Sequence, residues 1–266
     1  MPNWQAVSKD THANAGWRSL THYRHAQTMT VVPVFAAEMG HLLQYYPLAF
    51  VKKEDNHFQL CALLGLKSGE NAFLSFDERW KATYVPAALR SYPFSLLKNA
   101  EGKQVLAADV DSDFFNVLAQ PGDQDVLSHD GNPHSSLTEL LQFMLHRDVM
   151  QQKTDNAVQA LAAQNVLSLW TVPVTNDAGQ TEQKELMGMY HVDEEAVQKL
   201  PEEVLGSLAK AGALGIAYAQ LFSQVRLKDL HALQAQRDVL TQTSDKDEID
   251  LDKMFGESSG EDLFTF

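Results

Sequence analysis

Residues 46–94 constrain the fold of this chain more than any other stretch. Their apolar residues come in short runs separated by turn chemistry, too short and too often broken for core helices. Leu48, Ala49, Phe50 and Val51 form one run, the residues from Phe58 to Leu64 a second, and between them residues 52–57 are mostly polar. Gly65 and Gly69 bracket a second turn, after which Ala72, Leu74 and Phe76 alternate with Phe73 and Ser75. Runs of this length with short connections suit antiparallel strands. The stretch therefore predicts three strands, over residues 48–51, 58–64 and 71–76, then a short helix over 86–97 broken at Pro93.

The flanking segments extend the pattern. Residues 1–20 are mostly polar, with small residues and two tryptophans, Trp4 and Trp17, and read as a loosely ordered lead-in whose aromatics can dock on the core. Residues 29–34 are β-rich, with Pro33 marking an edge strand or an early end. A helix is expected over residues 36–45, stopped by Tyr46-Pro47 because the residue before proline is pushed towards extended geometry. Residues 104–110 read as a strand, and the Pro, Gly, Asn and Asp of 119–134 as a surface loop. Ser136 and Glu139 have capping-box spacing and open a long amphipathic helix reaching towards Ala163. Two strands, 166–174 and 184–192, flank the hairpin signal Asn176-Asp177-Ala178-Gly179. Asp193 is placed as a helix N-cap, Pro201 opens a further helix, and a long last helix covers 214–240. Strands, helix, hairpin and helices in that order predict an α+β fold, an antiparallel meander and hairpin sheet packed with several helices. The organisation is a lead-in (1–20), an α+β domain (21–240) and a disordered acidic tail (241–266).

Charge narrows the possible partners. The formal net charge of -14 repels phosphate backbones and anionic lipid, so neither nucleic acid nor an acidic membrane surface is expected. The longest apolar run, residues 213–219, falls short of the roughly 20 residues of a membrane span. The first residues have no basic stretch followed by an apolar one, which leads to an expectation of cytoplasmic residence. Cys61 is the single cysteine, which leaves no intrachain disulfide and no thiolate metal site. Its apolar neighbours predict a buried, inert thiol.

No complete catalytic motif is present: there is no nucleophile elbow, P-loop or dinucleotide fingerprint. Three histidine groupings could contribute metal ligands: His22 with His25; His129 and Asp130 with His134 in the 129–134 loop; and His191 with Asp193. The last has the His-x-Asp element of iron-dependent oxygenases, although helix capping also accounts for Asp193. Asp77, Glu78, Arg79 and Trp80, with Tyr84 and Arg90 nearby, form the most polar corner of the opening stretch. They read either as a pocket floored by Trp80, with Arg79 or Arg90 taking a carboxylate, or as an ion-paired corner over the strands. No cofactor is indicated. In the tail, Leu251, Met254 and Phe255, then Leu263, Phe264 and Phe266, form two apolar clusters flanked by acidic residues. Such a segment is too charged to pack alone, yet its anchors can dock in a basic-rimmed groove, fold back on the domain, or act as a C-terminal export signal.

An ordered series of short motifs carries a family likeness. It includes Val31-Val32-Pro33-Val34, Tyr46-Pro47-Leu48-Ala49-Phe50-Val51-Lys52, Leu63-Leu64-Gly65-Leu66, Gly69-Glu70-Asn71, Trp80, Tyr84-Val85-Pro86 and Tyr92-Pro93-Phe94. It continues through residues 109–113, Met189-Tyr190-His191-Val192-Asp193-Glu194 and Ala217-Tyr218-Ala219-Gln220-Leu221. Together these resemble the SapC family of bacterial proteins across roughly residues 20–235. The resemblance implies an association with surface-layer loci and a peptide-transport label, but no agreed activity and no catalytic residues. The leading expectation is a non-catalytic, cytoplasmic accessory protein that binds a protein or peptide partner. A metal-dependent oxygenase or hydrolase, using His191/Asp193 or the 129–134 loop, and a small-molecule sensor remain as alternatives.

Overall fold

The computed structural model describes residues 2–175 and 181–246. Its strands in chain order are β1 (Trp4–Ala6), β2 (Gly16–Trp17), β3 (Val31–Pro33), β4 (Leu48–Lys52), β5 (Phe58–Leu63), β6 (Phe94–Lys98), β7 (Gln104–Asp109), β8 (Phe115–Asn116), β9 (Gln124–Asp125), β10 (Leu167–Thr175) and β11 (Thr181–Val192). The helices are α1 (Lys9–His12), α2 (Met39–Leu42), α3 (Ser135–Ala162), α4 (Glu194–Gln198), α5 (Glu202–Lys210), α6 (Ala213–Ser223) and α7 (Leu227–Lys246). Three antiparallel sheets result, ordered β10-β11-β4-β5-β3, β1-β7-β6 and β8-β2-β9. The fold is α+β, as the order of segments predicts.

The β4–β5 hairpin forms as expected, from Leu48 opposite Ala62 to Lys52 opposite Phe58. The expected third strand over residues 71–76 does not form. The edge beside β5 is taken instead by β3, with Val31 opposite Leu63 and Pro33 opposite Cys61. Asn71 explains the difference. Fully buried, it donates Nδ2–H to the Ala26 carbonyl and accepts the Phe73 N–H on Oδ1, which bends the chain locally. Gly65 permits this approach, because a Cβ there would lie 2.2 Å from the Glu70 carbonyl oxygen. The helix expected over 86–97 is also absent. Ala87–Leu89 make one 3₁₀ turn, the Tyr92–Pro93 peptide is cis, and β6 begins at Phe94.

Two buried clusters form the core. The larger gathers Leu48, Phe50, Leu60, Leu63, Trp170, Val192 and Ile216 around the five-stranded sheet. The smaller gathers Trp17, Phe94, Phe115, Val126, Leu137 and Met144. Helix α3 belongs to both, with Leu137 and Met144 in the smaller cluster and Val158 and Leu161 in the larger. The expected lead-in is built into the fold: β1 pairs with β7, β2 lies between β8 and β9, and Trp17 is buried against Phe94. His134 rather than Ser136 caps α3, its ring accepting from the Ser136 N–H.

The expected last helix is divided by a 3₁₀ turn at Gln224–Arg226 into α6 and α7, and α7 runs past residue 240 to Lys246. Helix α6 completes the sheet where the β11–β4 ladder is reduced to the Tyr190–Phe50 pair. Gln220, fully buried, accepts from the Val192 N–H at 3.0 Å and donates to the Leu48 carbonyl at 3.2 Å. The Ser223 hydroxyl accepts from the Leu48 N–H at 2.9 Å. Buried backbone groups without a strand partner are thus satisfied by helix side chains. No single described helix is long and apolar enough to cross a membrane. The Glu202–Lys210 and Ala213–Val239 segments meet that measure only as a pair, bent by 88°. The hairpin signal at 176–179 and the tail candidates Leu251, Met254, Phe255, Leu263, Phe264 and Phe266 lie outside the described residues.

Candidate binding surface

The corner containing Asp77, Arg79, Trp80, Tyr84 and Arg90 is held together from below by buried polar contacts. Trp80 donates its indole N–H to the Tyr46 hydroxyl at 2.7 Å, and Tyr46 in turn donates to the Tyr84 carbonyl. Burial holds the Tyr46 phenol well above its ordinary pKa. The Tyr84 hydroxyl donates to Glu38 Oε2 at 2.9 Å, and the same oxygen accepts the Ala87 N–H at 2.7 Å. Glu38 is only 3% exposed, so its carboxylate ties the turn before α2 to the turn at Ala87. Burial, with the Glu38 charge next in size, raises the Tyr84 phenol to about 12. Arg90 lies over the Tyr84 ring, 4.5 Å from its centroid, and donates to the Val85 carbonyl. His41 also stacks on Tyr84, with ring centroids 4.7 Å apart.

Above this base the chain makes a tight turn from Ser75 to Arg79. The Ser75 N–H bonds the Arg79 carbonyl at 2.9 Å, and the Ser75 hydroxyl reaches both Asp77 Oδ1 and the Arg79 backbone. Glu78 takes a positive φ of 61°, and its carboxylate pairs with Arg24 at 2.6 Å. Its carbonyl accepts the Tyr23 N–H. Leu74 and Trp80 close the turn with a single antiparallel bridge. Phe76 projects from the tip, 77% exposed. Asp77 and Arg79 flank it as an exposed ion pair at 3.1 Å.

The corner therefore brings the expected residues together in a different arrangement. Trp80 is committed to Tyr46 and stacks on Phe73, Arg79 is held by Asp77, and Arg90 covers Tyr84. Phe76 is the residue the sequence reading misplaces, since alternation assigns it to the same face as Leu74. The signal lay in Ser75 and Asp77, turn-forming residues whose hydroxyl and carboxylate bond the local backbone or each other.

The other candidates are distributed across the fold. His191 shares a 3.2 Å contact between Nε2 and the Ser168 hydroxyl and tilts against Trp170, and burial holds its pKa below the ordinary value. Asp193 caps α4, accepting the Ala196 N–H at 3.0 Å. His129 is exposed, and Asp130 bonds the Asn132 backbone and side chain. His22 lies 3.6 Å from Glu78 and 3.8 Å from Asp113, while His25 stacks on Tyr92. Among the described residues no three His, Cys, Asp or Glu side chains converge as a ligand set.

Among known protein families, the model described as SapC matches residues 7–230. No curated protein and no solved structure matches the chain.

Proposed function

The chain belongs to the SapC family, and we propose that it is a non-catalytic cytoplasmic accessory protein that binds a protein partner, with the Phe76 turn as its anchor. The observation that carries this reading is the 77% exposure of Phe76 on a turn whose backbone and flanking side chains are already fixed. A large aromatic presented without further ordering is the type of residue that dominates binding energy when it fills a partner's pocket. The Asp77–Arg79 pair at its rim gives the partner both signs of charge to match, which favours orientation over raw affinity. Within the same reading, the acidic tail with Leu251, Met254, Phe255, Leu263, Phe264 and Phe266 is a second docking segment.

Photo-crosslinking tests the proposal. A benzophenone amino acid placed at position 76 in the full chain, in producing cells, is expected to trap one discrete partner. The adduct should disappear when Asp77→Lys and Arg79→Glu are introduced together. The same probe at exposed Gln120 should give no such adduct. Absence of a discrete product from position 76, or equal products from both positions, overturns the reading.

A further inference from the structure

A cavity of about 340 Å³ opens between the two core clusters, away from the Phe76 turn. Its wall is assembled from distant parts of the chain: Trp4 of β1, His25, Phe35, Ser91, Phe94 of β6 and Arg147 of α3. Its size falls in the range of small-molecule sites, and its composition, apolar surfaces with a few converging polar groups, is typical of them.

Two of those polar groups are unusual. Arg147 has only 16% of its side chain exposed, yet the protein engages few of its donors. One terminal N–H₂ donates to the Ser91 hydroxyl at 3.1 Å, and the other lies 3.5 Å from Asp148. A guanidinium offers five N–H donors in a planar fork, so most of those of Arg147 are left to solvent or a ligand at the open cavity. Asp148, which also lines the cavity, is the more exposed of the pair and accepts from Gln104 at 2.8 Å, so its charge is shared with solvent and an amide as well as with Arg147. His25 presents the second. Both its ring nitrogens are buried without a hydrogen-bond partner, and the Leu89 backbone lies near enough to favour its protonation without hydrogen-bond geometry. Burial, reinforced by His22, holds its pKa down to about 4, so at neutral pH the ring is uncharged and adds no positive charge beside Arg147.

We propose that this cavity binds a small organic carboxylate, with the carboxylate on Arg147 and the apolar body against Trp4, Phe35, Phe94 and the neutral His25 ring. The carboxylate completes the guanidinium fork. The aromatic walls favour an organic body over a bare inorganic anion.

Titration of the full chain with para-hydroxyphenylacetate, followed by calorimetry and tryptophan fluorescence at neutral pH, tests this. The expected result is saturable one-site binding, with the matching amide, para-hydroxyphenylacetamide, about ten-fold weaker or worse because it lacks the charge and the second acceptor oxygen of a forked pair with the guanidinium. Inorganic phosphate should not compete. Arg147→Met should abolish the preference of acid over amide, and Arg147→Lys should retain part of it. The acid–amide comparison uses the unaltered protein, so it decides the matter even if a variant fails to fold. No saturable binding, equal affinity for acid and amide, competition by phosphate, or an unchanged preference in Arg147→Met each overturns the proposal.

Discussion

The indole N–H of Trp80 ends on the hydroxyl of Tyr46, a residue with no exposed surface that stands just before β4. One phenol thus accepts from Trp80 and donates to the Tyr84 carbonyl, linking the base of the Phe76 turn to the sheet and to the segment that carries Arg90. Tyr46→Phe keeps the ring and its contact with Phe73 but removes both hydrogen bonds. The expected cost is about 1–3 kcal/mol, the desolvation of the groups left unpaired. Urea denaturation checks it through a lower midpoint at unchanged slope. An unchanged midpoint would show that the link contributes nothing.

His25 makes stability depend on pH in a definite direction. Its folded-state pKa is about 4 against an ordinary 6.5, so between those values the unfolded chain binds the proton and the folded chain does not. Stability is therefore full above pH 6.5 and falls as pH drops towards 4, by about 2 kcal/mol at pH 5 from this group. Burial lowers His12 and His191 too, which act in the same sense. The informative quantity is thus the difference between the wild type and His25→Phe. Urea midpoints at pH 8 and pH 5 should fall less in the variant. An equal fall in both would contradict the assignment.

The hairpin β4–β5 was legible because its pattern and turn are local: polar residues 52–57 separate two apolar runs. The same stretch failed at Asn71 because the outcome depended on a partner far away in sequence. The Ala26 carbonyl captures the Asn71 amide, and β3 occupies the edge where a third strand would have paired. Residues 86–97 failed for a similar reason. Phe94–Lys98 is a strand only because β7 pairs with it, through a turn in which Asn99 Oδ1 accepts the Glu101 and Lys103 N–H groups. At the binding corner the residue list was readable but the arrangement was not. Whether Arg90 receives a ligand or covers Tyr84 is decided by a 4.5 Å stacking contact that no spacing encodes. The cavity was invisible, since Trp4, His25, Ser91 and Arg147 become neighbours only in the folded chain.

Cys61 lies on β5, between β4 and the edge strand β3, opposite Ala49 on one side and Pro33 on the other. Burial pushes its thiol up to about 12, so the thiolate is scarce as well as enclosed. Native protein should give no reaction with a thiol-specific disulfide reagent at pH 8, and the full single equivalent in concentrated urea. Rapid labelling of the native protein would place the thiol at the surface.

Helix α3 is the element on which the two core clusters depend in common. Met144 is fully buried in the smaller and Val158 in the larger, about 21 Å apart at the rise of an α-helix. A continuous helix with both clusters on its surface transmits the loss of one to the other. Disrupting the packing at Met144 frees the first half of α3, and the second half cannot then hold its register without the neighbouring turns. Met144→Ala is therefore expected to destabilise the whole chain by about 2–5 kcal/mol while unfolding remains a single transition. In variants that keep only Trp17 or only Trp170, one in each cluster, far-ultraviolet circular dichroism and fluorescence should follow superimposable urea curves, with and without Met144→Ala. Separate transitions, with Trp170 unaffected by Met144→Ala, would show that the clusters unfold independently and that α3 does not couple them.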